Sequence, residues 1–179
     1  MRIEKIDQKY LGRDSEPDHI EVAKQSGSYV YSSRGKKYVD FVMGWCVGNF
    51  GWDNPDIKKR IHQFRGPDYV APHQMYKPWV ELAQQLEKIT PGNLKKSFRA
   101  TGGTEAVEIA LQAAMTFTER RKFISVEDAY HGDSIAARSI GSPDFGHWFR
   151  NPFSAHRIKA PLNLKSAEQV EKWLMKRDI

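Results

Sequence analysis

The spacing of apolar and polar positions changes character several times along the chain. Residues 1–27 are polar with few periodic apolar positions, which predicts an irregular arm. Tyr29-Val30-Tyr31 and Tyr38-Val39-Asp40-Phe41 are short runs of β-formers. Ser33-Arg34-Gly35 between them supplies turn chemistry, so a hairpin is predicted. Residues 44–53, rich in Gly, Trp and Asn, read as a loop. After it, Asp53 or Asn54 caps a short helix with Pro55 at its first position, running through Ile57 and Ile61.

Pro67 to Pro78 interrupts regularity again, and from Trp79 the pattern is helical. Trp79, Ala83 and Leu86 share a face, and Pro91-Gly92 ends the helix. Lys96 to Ala100 has the length of a strand, broken by Thr101-Gly102-Gly103. A helix is predicted from about Thr104, with Ala106, Ala110, Ala113 and Phe117 on one side, and a further strand over Lys122 to Val126. Strand, helix, strand makes a βαβ unit and predicts a parallel α/β sheet. A last helix is expected from Ser166, with Gln169 placed for a capping box and Val170, Trp173 and Leu174 facing inward. Residues 1–60 therefore read as an arm and hairpin segment, and 61–179 as the first part of an α/β domain. The alternation calls next for a strand, and a sheet this small leaves an unpaired edge, so the sequence reads as cut from a longer fold.

Composition narrows the function classes. With 40% hydrophobic and 28% charged residues the chain is an ordinary globular one. No run of about eighteen apolar residues occurs, so no membrane span is expected. Asp7, Asp14, Glu16 and Asp18 near the start argue against a secretory leader, and the single cysteine, Cys46, has no internal disulfide partner. A reducing cytoplasm is the expected compartment. The net charge of +6 is scattered, with runs no longer than Lys58-Lys59-Arg60 or Arg120-Arg121-Lys122. That pattern suits solvated helix faces and an anion-binding site better than a nucleic-acid surface.

The chemistry concentrates at Ala100-Thr101-Gly102-Gly103-Thr104-Glu105-Ala106. Two glycines between a strand and a helix let the backbone turn tightly and approach a ligand. The first helical amides lack intrahelical partners and, with the helix dipole, form an anion site for which phosphate is the usual occupant. Each such contact is worth about 0.3–1 kcal/mol, so several must converge. The plainer alternative is a simple Gly-Gly turn at a helix start. A P-loop is excluded because no Lys follows the glycines, and the dinucleotide fingerprint fits loosely, with Ala106 at its third glycine and Glu127 or Asp128 as its acid. After the next strand comes Val126-Glu127-Asp128-Ala129-Tyr130-His131-Gly132-Asp133. There a flat aromatic can stack on a planar heterocycle beside the phosphate site, though a tyrosine in the core and a surface histidine would explain the same residues.

A Gly-Thr-Glu-Ala helix start followed by a strand and Ala-Tyr-His-Gly resembles the class III aminotransferases, the group of ornithine, acetylornithine and 4-aminobutyrate aminotransferases. Tyr38-Val39-Asp40-Phe41 leading to Gly44, and Gly51 leading to Asn54-Pro55, extend the resemblance over about residues 28–141. It implies an incomplete type I pyridoxal-phosphate (PLP) fold, with residues 1–60 contributing to the small domain and 61–179 opening the large cofactor-binding domain. It also implies amino-group transfer from an amino donor to a 2-oxo acid, within a homodimer. On the matching positions, Gly102, Gly103 and Thr104 would hold the cofactor phosphate. Tyr130 would stack on the pyridine ring, with His131 and Gly132 shaping the loop. Trp45 and Cys46 would help form the substrate pocket, and His73, Gln74 and Tyr76 would lie near the subunit interface. No metal ligands and no catalytic residue are expected in this stretch.

Three departures qualify the resemblance. Family members commonly have Ser where Gly102 stands, and Arg-Thr where this chain has Asp133-Ser134. A carboxylate near a phosphate site is unhelpful unless it points away. Nothing in residues 142–179 resembles the later Glu-Pro segment, the acid that pairs with the pyridine nitrogen, or the lysine that binds the cofactor covalently; Lys159 and Lys165 lie in no matching context. The rival readings are a non-catalytic truncated homologue and a phosphate- or nucleotide-binding α/β module.

Overall fold

The computed structural model describes residues 3–12, 17–142 and 152–176. Their backbone contacts divide the chain into two compact units, Met1–Gln74 and Met75–Ile179.

In the first unit the stretch expected to be irregular holds helix α1 (Ile3–Tyr10) and strand β1 (Val22–Ser26). Both escape a pattern search for a physical reason. The apolar residues of α1 remain exposed, Ile3 by 50% and Tyr10 by 68%, so no core demands a strong stripe. β1 has one β-branched residue and forms because β2 (Tyr29–Ser32) offers it an edge, which makes the backbone ladder its cause. β2 and β3 (Lys37–Val39) make the expected hairpin, and the antiparallel sheet runs β1-β2-β3. The register places Tyr31 between Lys24 and Lys37. The Lys37 ammonium lies 3.6 Å from the Tyr29 ring centroid and the Lys24 ammonium 5.9 Å from that of Tyr31, so cation–π contacts support a sheet with little apolar cover.

The loop expected at 44–53 contains one tight turn, α2 (Met43–Cys46). Helix α3 (Pro55–Gln63) follows, and of its two candidate caps Asn54 is the one used: its side chain accepts from the Asp56 and Ile57 amides. Asp53 is ion-paired with Lys58 instead.

The second unit opens with α4 (Lys77–Ile89), where Trp79 meets Tyr76 edge-on and the Arg99 guanidinium lies 3.6 Å over its ring. The strand expected at Lys96–Ala100 is not formed. Residues 94–100 have no ladder partner among the described residues and are exposed, and a strand without a neighbour has no reason to persist. Helix α5 (Gly103–Thr118) then leads to β4 (Lys122–Val126), α6 (Ile135–Ile140), β5 (Ser154–Ile158) and α7 (Leu164–Met175). The parallel sheet is therefore β4 with β5, in register from Lys122↔Ser154 to Val126↔Ile158, and the strand β5 was not foreseen.

The core gathers around α6, which touches α5, β4 and β5. Leu111, Ala137, Ile140 and Ile158 are its buried apolar members, with Ser125, Ser139 and Ser142 among them. Arg157 of β5 closes the end of α6, donating to the Gly141 and Ser139 carbonyls. In α5 Leu111 is buried and Thr104, Val107, Glu108, Ile109 and Met115 are half-buried, whereas the expected face of Ala106, Ala110, Ala113 and Phe117 is exposed, Phe117 by 91%. An apolar-all-round helix carries two stripes, and periodicity alone cannot say which is covered. α7 starts at Leu164, two residues before the expected Ser166: Asn163 caps it, and Ser166, not Gln169, closes the box at the third helical position. His156 of β5 stacks on Trp173 at 4.6 Å, while Leu174 stays 53% exposed. Among the described residues no helix is long and apolar enough to cross a membrane.

Candidate active site

α5 begins at Gly103 with Gly102 as its cap residue in an extended conformation, and the Ala106 amide makes the first helical bond to the Gly102 carbonyl. A Cβ at Gly102 or Gly103 would meet nothing within 4 Å, so the first turn is an open cradle. Glu105, in that turn, reaches back: both the amide and the hydroxyl of Thr101 donate to its Oε2 at 2.5 Å. Those bonds, the hydroxyl's first, hold the Glu105 carboxyl below its ordinary value of 4.5. They also fix Thr101 at the mouth of the cradle.

The loop after β4 folds onto this helix start. Asp128 takes a left-handed conformation (φ 63°), and the Ser142 amide donates to the Ala129 carbonyl. Gly132, at φ 122°, is pressed against Thr104: a Cβ there would come within 2.8 Å of the threonine Cβ. Ser134 caps α6 by accepting from the Ala137 amide, and its hydroxyl donates to Glu108 on α5. Tyr130, 59% exposed, donates its hydroxyl to Asp133 at 2.6 Å, and the Arg138 guanidinium donates to the same carboxylate at 2.8 Å. The tyrosine bond first and the arginine second hold Asp133 below its ordinary 3.8. The unfamiliar carboxylate at position 133 is thus tied to Arg138. The imidazole Nε2 of His131 is buried and has no partner among the described residues.

In the other unit Trp45 and Cys46 sit in α2, where Met43, Gly44, Trp45 and Cys46 all have positive φ, from 49° to 68°. A left-handed turn of this kind costs about 1–2 kcal/mol per non-glycine residue, so something must hold it. Trp45 points outward, 90% exposed, and the flanking Phe41 and Phe50 are 92% and 82% exposed. Of the sequence-predicted positions, the structure brings Gly132 onto Thr104 beside Gly103, and it keeps Trp45 with Cys46 in a separate unit. Sequence reasoning missed Glu105, Glu108 and Asp40. Only Glu105 left a signal, an acid in the first turn after a threonine.

The class III aminotransferase family matches residues 10–178, and the chain belongs to it. It is 33% identical over 144 residues to an adenosylmethionine-8-amino-7-oxononanoate aminotransferase of Staphylococcus aureus, covering 73% of this chain and 31% of that enzyme. It is 35% identical over 134 residues to a glutamate-1-semialdehyde 2,1-aminomutase of Symbiobacterium thermophilum, covering 69% of this chain and 30% of the other. The fold matches an omega transaminase from Pseudomonas jessenii, solved in complex with PMP, with a TM-score of 0.82 at 22% identity, over 98% of this chain and 46% of that one. The fold is therefore the type I PLP fold in part, and the chain spans about a third of the length of these curated relatives. The cofactor of the family is pyridoxal 5'-phosphate.

Proposed function

We propose that this chain carries the phosphate- and ring-binding half of a PLP-dependent aminotransferase site, whose whole protein moves an amino group from an amino donor to a 2-oxo acid as a cytoplasmic homodimer. The observation that supports the reading is Gly132 seated on Thr104, which draws the Tyr130 loop to the open first turn of α5. That turn fits the group: it has unfilled space at Gly102 and Gly103 and first-turn amides free of intrahelical bonds.

In this reading the amides of Gly103, Thr104 and Glu105 and the Thr104 hydroxyl hold the phosphate dianion at the positive end of α5. Tyr130 covers one face of the ring, and its bond to Asp133 limits its rotation. The Asp133–Arg138 pair keeps that carboxylate's charge balanced near the phosphate. His131 and Gly132 shape the loop, and Trp45 and Cys46 meet the amino donor. When bound, pyridoxal phosphate supplies the electron sink and carries the amino group; the chain's own residues bind and orient it.

Titrating the chain with pyridoxal phosphate tests this. Gly103→Asp places a carboxylate in the cradle and is expected to weaken binding by at least roughly tenfold, the scale of a lost charge-assisted contact. Thr104→Val should weaken it less. Equal affinities across wild type and both variants would remove the site from α5. Borohydride reduction of the complex, followed by peptide mapping, is expected to label no single lysine.

A further inference from the structure

Residues 40–52 form a closed loop with both feet on the β1–β2 turn. The Asp40 amide donates to the Ser28 carbonyl at 2.9 Å, while Gly27 and Trp52 exchange both backbone bonds at 2.8 Å. From one foot the Asp40 carboxylate works inward. Its Oδ1 accepts from the Val42 and Met43 amides at 3.0 and 2.8 Å, and its Oδ2 accepts from the Trp52 indole at 2.8 Å. The Trp52 ring in turn lies under the left-handed turn: a Cβ at Gly44 or at Gly48 would come within 2.9 Å of it. The Gly48 amide closes the turn on the Met43 carbonyl at 2.8 Å.

We propose that Asp40 and Trp52 act together as positioning residues that hold the 43–46 turn left-handed, so that Trp45 and Cys46 are presented to the amino donor. The inference rests on the reading of Trp45 and Cys46 given above. Neither residue touches substrate; both act through the turn. The chemistry asks for these two types. One carboxylate has two oxygens, one for the amides that start the turn and one for the indole that supports it. Asparagine keeps a single acceptor and would set an amide N–H against the indole N–H. The flat ring fits beneath two glycines, where a smaller side chain leaves the turn unsupported.

The test is the set of tryptophan indole resonances of the full chain by proton–nitrogen NMR, assigned by single Trp→Phe substitutions. Asp40→Asn is expected to shift the Trp52 indole signal and, through the turn, that of Trp45, while Trp79 and Trp173 stay in place. Trp52→Phe keeps the ring and loses the bond, and is expected to move Trp45 less. With 1-phenylethylamine as probe, the Trp45 response should weaken by roughly tenfold in Asp40→Asn, as for one charge-assisted hydrogen bond, and Asp40→Glu should recover part of it. A Trp45 signal unmoved in both Asp40→Asn and Trp52→Phe overturns the inference. A Trp45 signal that moves in Asp40→Asn, in a wild-type chain that never responds to the amine, supports the positioning pair and sinks the pocket reading alone.

Discussion

Residues 40–52 and residues 127–134 each turn the chain sharply within a short span, using different supports. The first loop is held from inside, by a carboxylate, an indole and two strand-turn carbonyls that belong to the loop or its feet. The second has one internal tie, Tyr130 to Asp133, and is otherwise held from outside, by Thr104 and Glu108 on a helix that precedes it in the chain. A loop held from inside keeps its shape whatever lies beyond it and can expose Phe41, Trp45 and Phe50 freely. A loop held from outside couples two elements, so whatever disturbs the start of α5 also disturbs Tyr130.

Gly132→Ala strikes the second loop hardest. The added methyl meets Thr104 at a φ of 122°, and the expected loss is about 3 kcal/mol, from an unfavourable backbone region and an overpacked contact together. Urea unfolding followed by circular dichroism measures it. Adding Thr104→Ala removes the Oγ1 and Cγ2 contacts and should return part of the steric share, leaving the contact with the remaining Cβ and the backbone share. Full additivity of the two changes would show that the loop does not lean on α5.

Trp52→Ala is the matching change in the first loop. It removes the half-buried ring under Gly44 and Gly48 and the indole donor to Asp40, with an expected cost of about 2 kcal/mol, below that of a fully buried tryptophan. Hydrogen exchange should quicken at Val42, Met43 and Gly48 while β4 and β5 stay protected. Quickening in both units would break the contrast between a self-held and an externally held loop.

Next in size are the helix caps. Asn54→Ala and Asn163→Ala each remove a side chain accepting two amides, at a cost of about 1 kcal/mol each by the same urea measurement. Neither should alter the Trp45 or Tyr130 environment.

Acid gives the smallest and broadest effect. Asp40, lowered chiefly by the Trp52 indole, and Asp133, lowered chiefly by the Tyr130 hydroxyl, have folded values below their ordinary 3.8. Their contribution is therefore complete above the unfolded value and is lost as pH falls through the folded one. Both loops should loosen below a pH of about 4, and a melting temperature that is flat from pH 6 to 3 would contradict both assignments. The first loop should show it at Trp52 fluorescence and the second at Tyr130.

What the sequence made legible follows the range of the forces involved. The β2–β3 hairpin, the Asn54 cap with Pro55, and α4 and α5 are set by neighbours a few residues apart, and all are readable. The order of Gly102-Gly103-Thr104 and Tyr130-His131-Gly132 was enough to suggest one site, because a strand and a helix between them fix the geometry. β1 was missed because its own residues are weak β-formers and the adjacent β2 edge decides it, β5 because it pairs with a strand distant in sequence, and the strand expected at 96–100 fails for want of a partner. The Asp40–Trp52 bond and the Ser134–Glu108 bond span loops whose closure no local pattern announces. The covered face of α5 was misjudged because its sequence is apolar on both sides.

The parallel pairing of β4 with β5 has a consequence for the order in which the chain acquires structure. The β1–β2–β3 meander closes through turns of a few residues, whereas residues 127–153 separate β4 from β5 in sequence. Loop closure must be met before the distant ladder returns anything, so contacts of low sequence separation assemble in microseconds and distant strand pairs take much longer. The meander is therefore expected to be complete while β4 still waits for its partner. On a ribosome, β4 would emerge with an open edge and remain so until β5 had been synthesised, making that interval the stretch of this chain's life in which it is most exposed to misassociation.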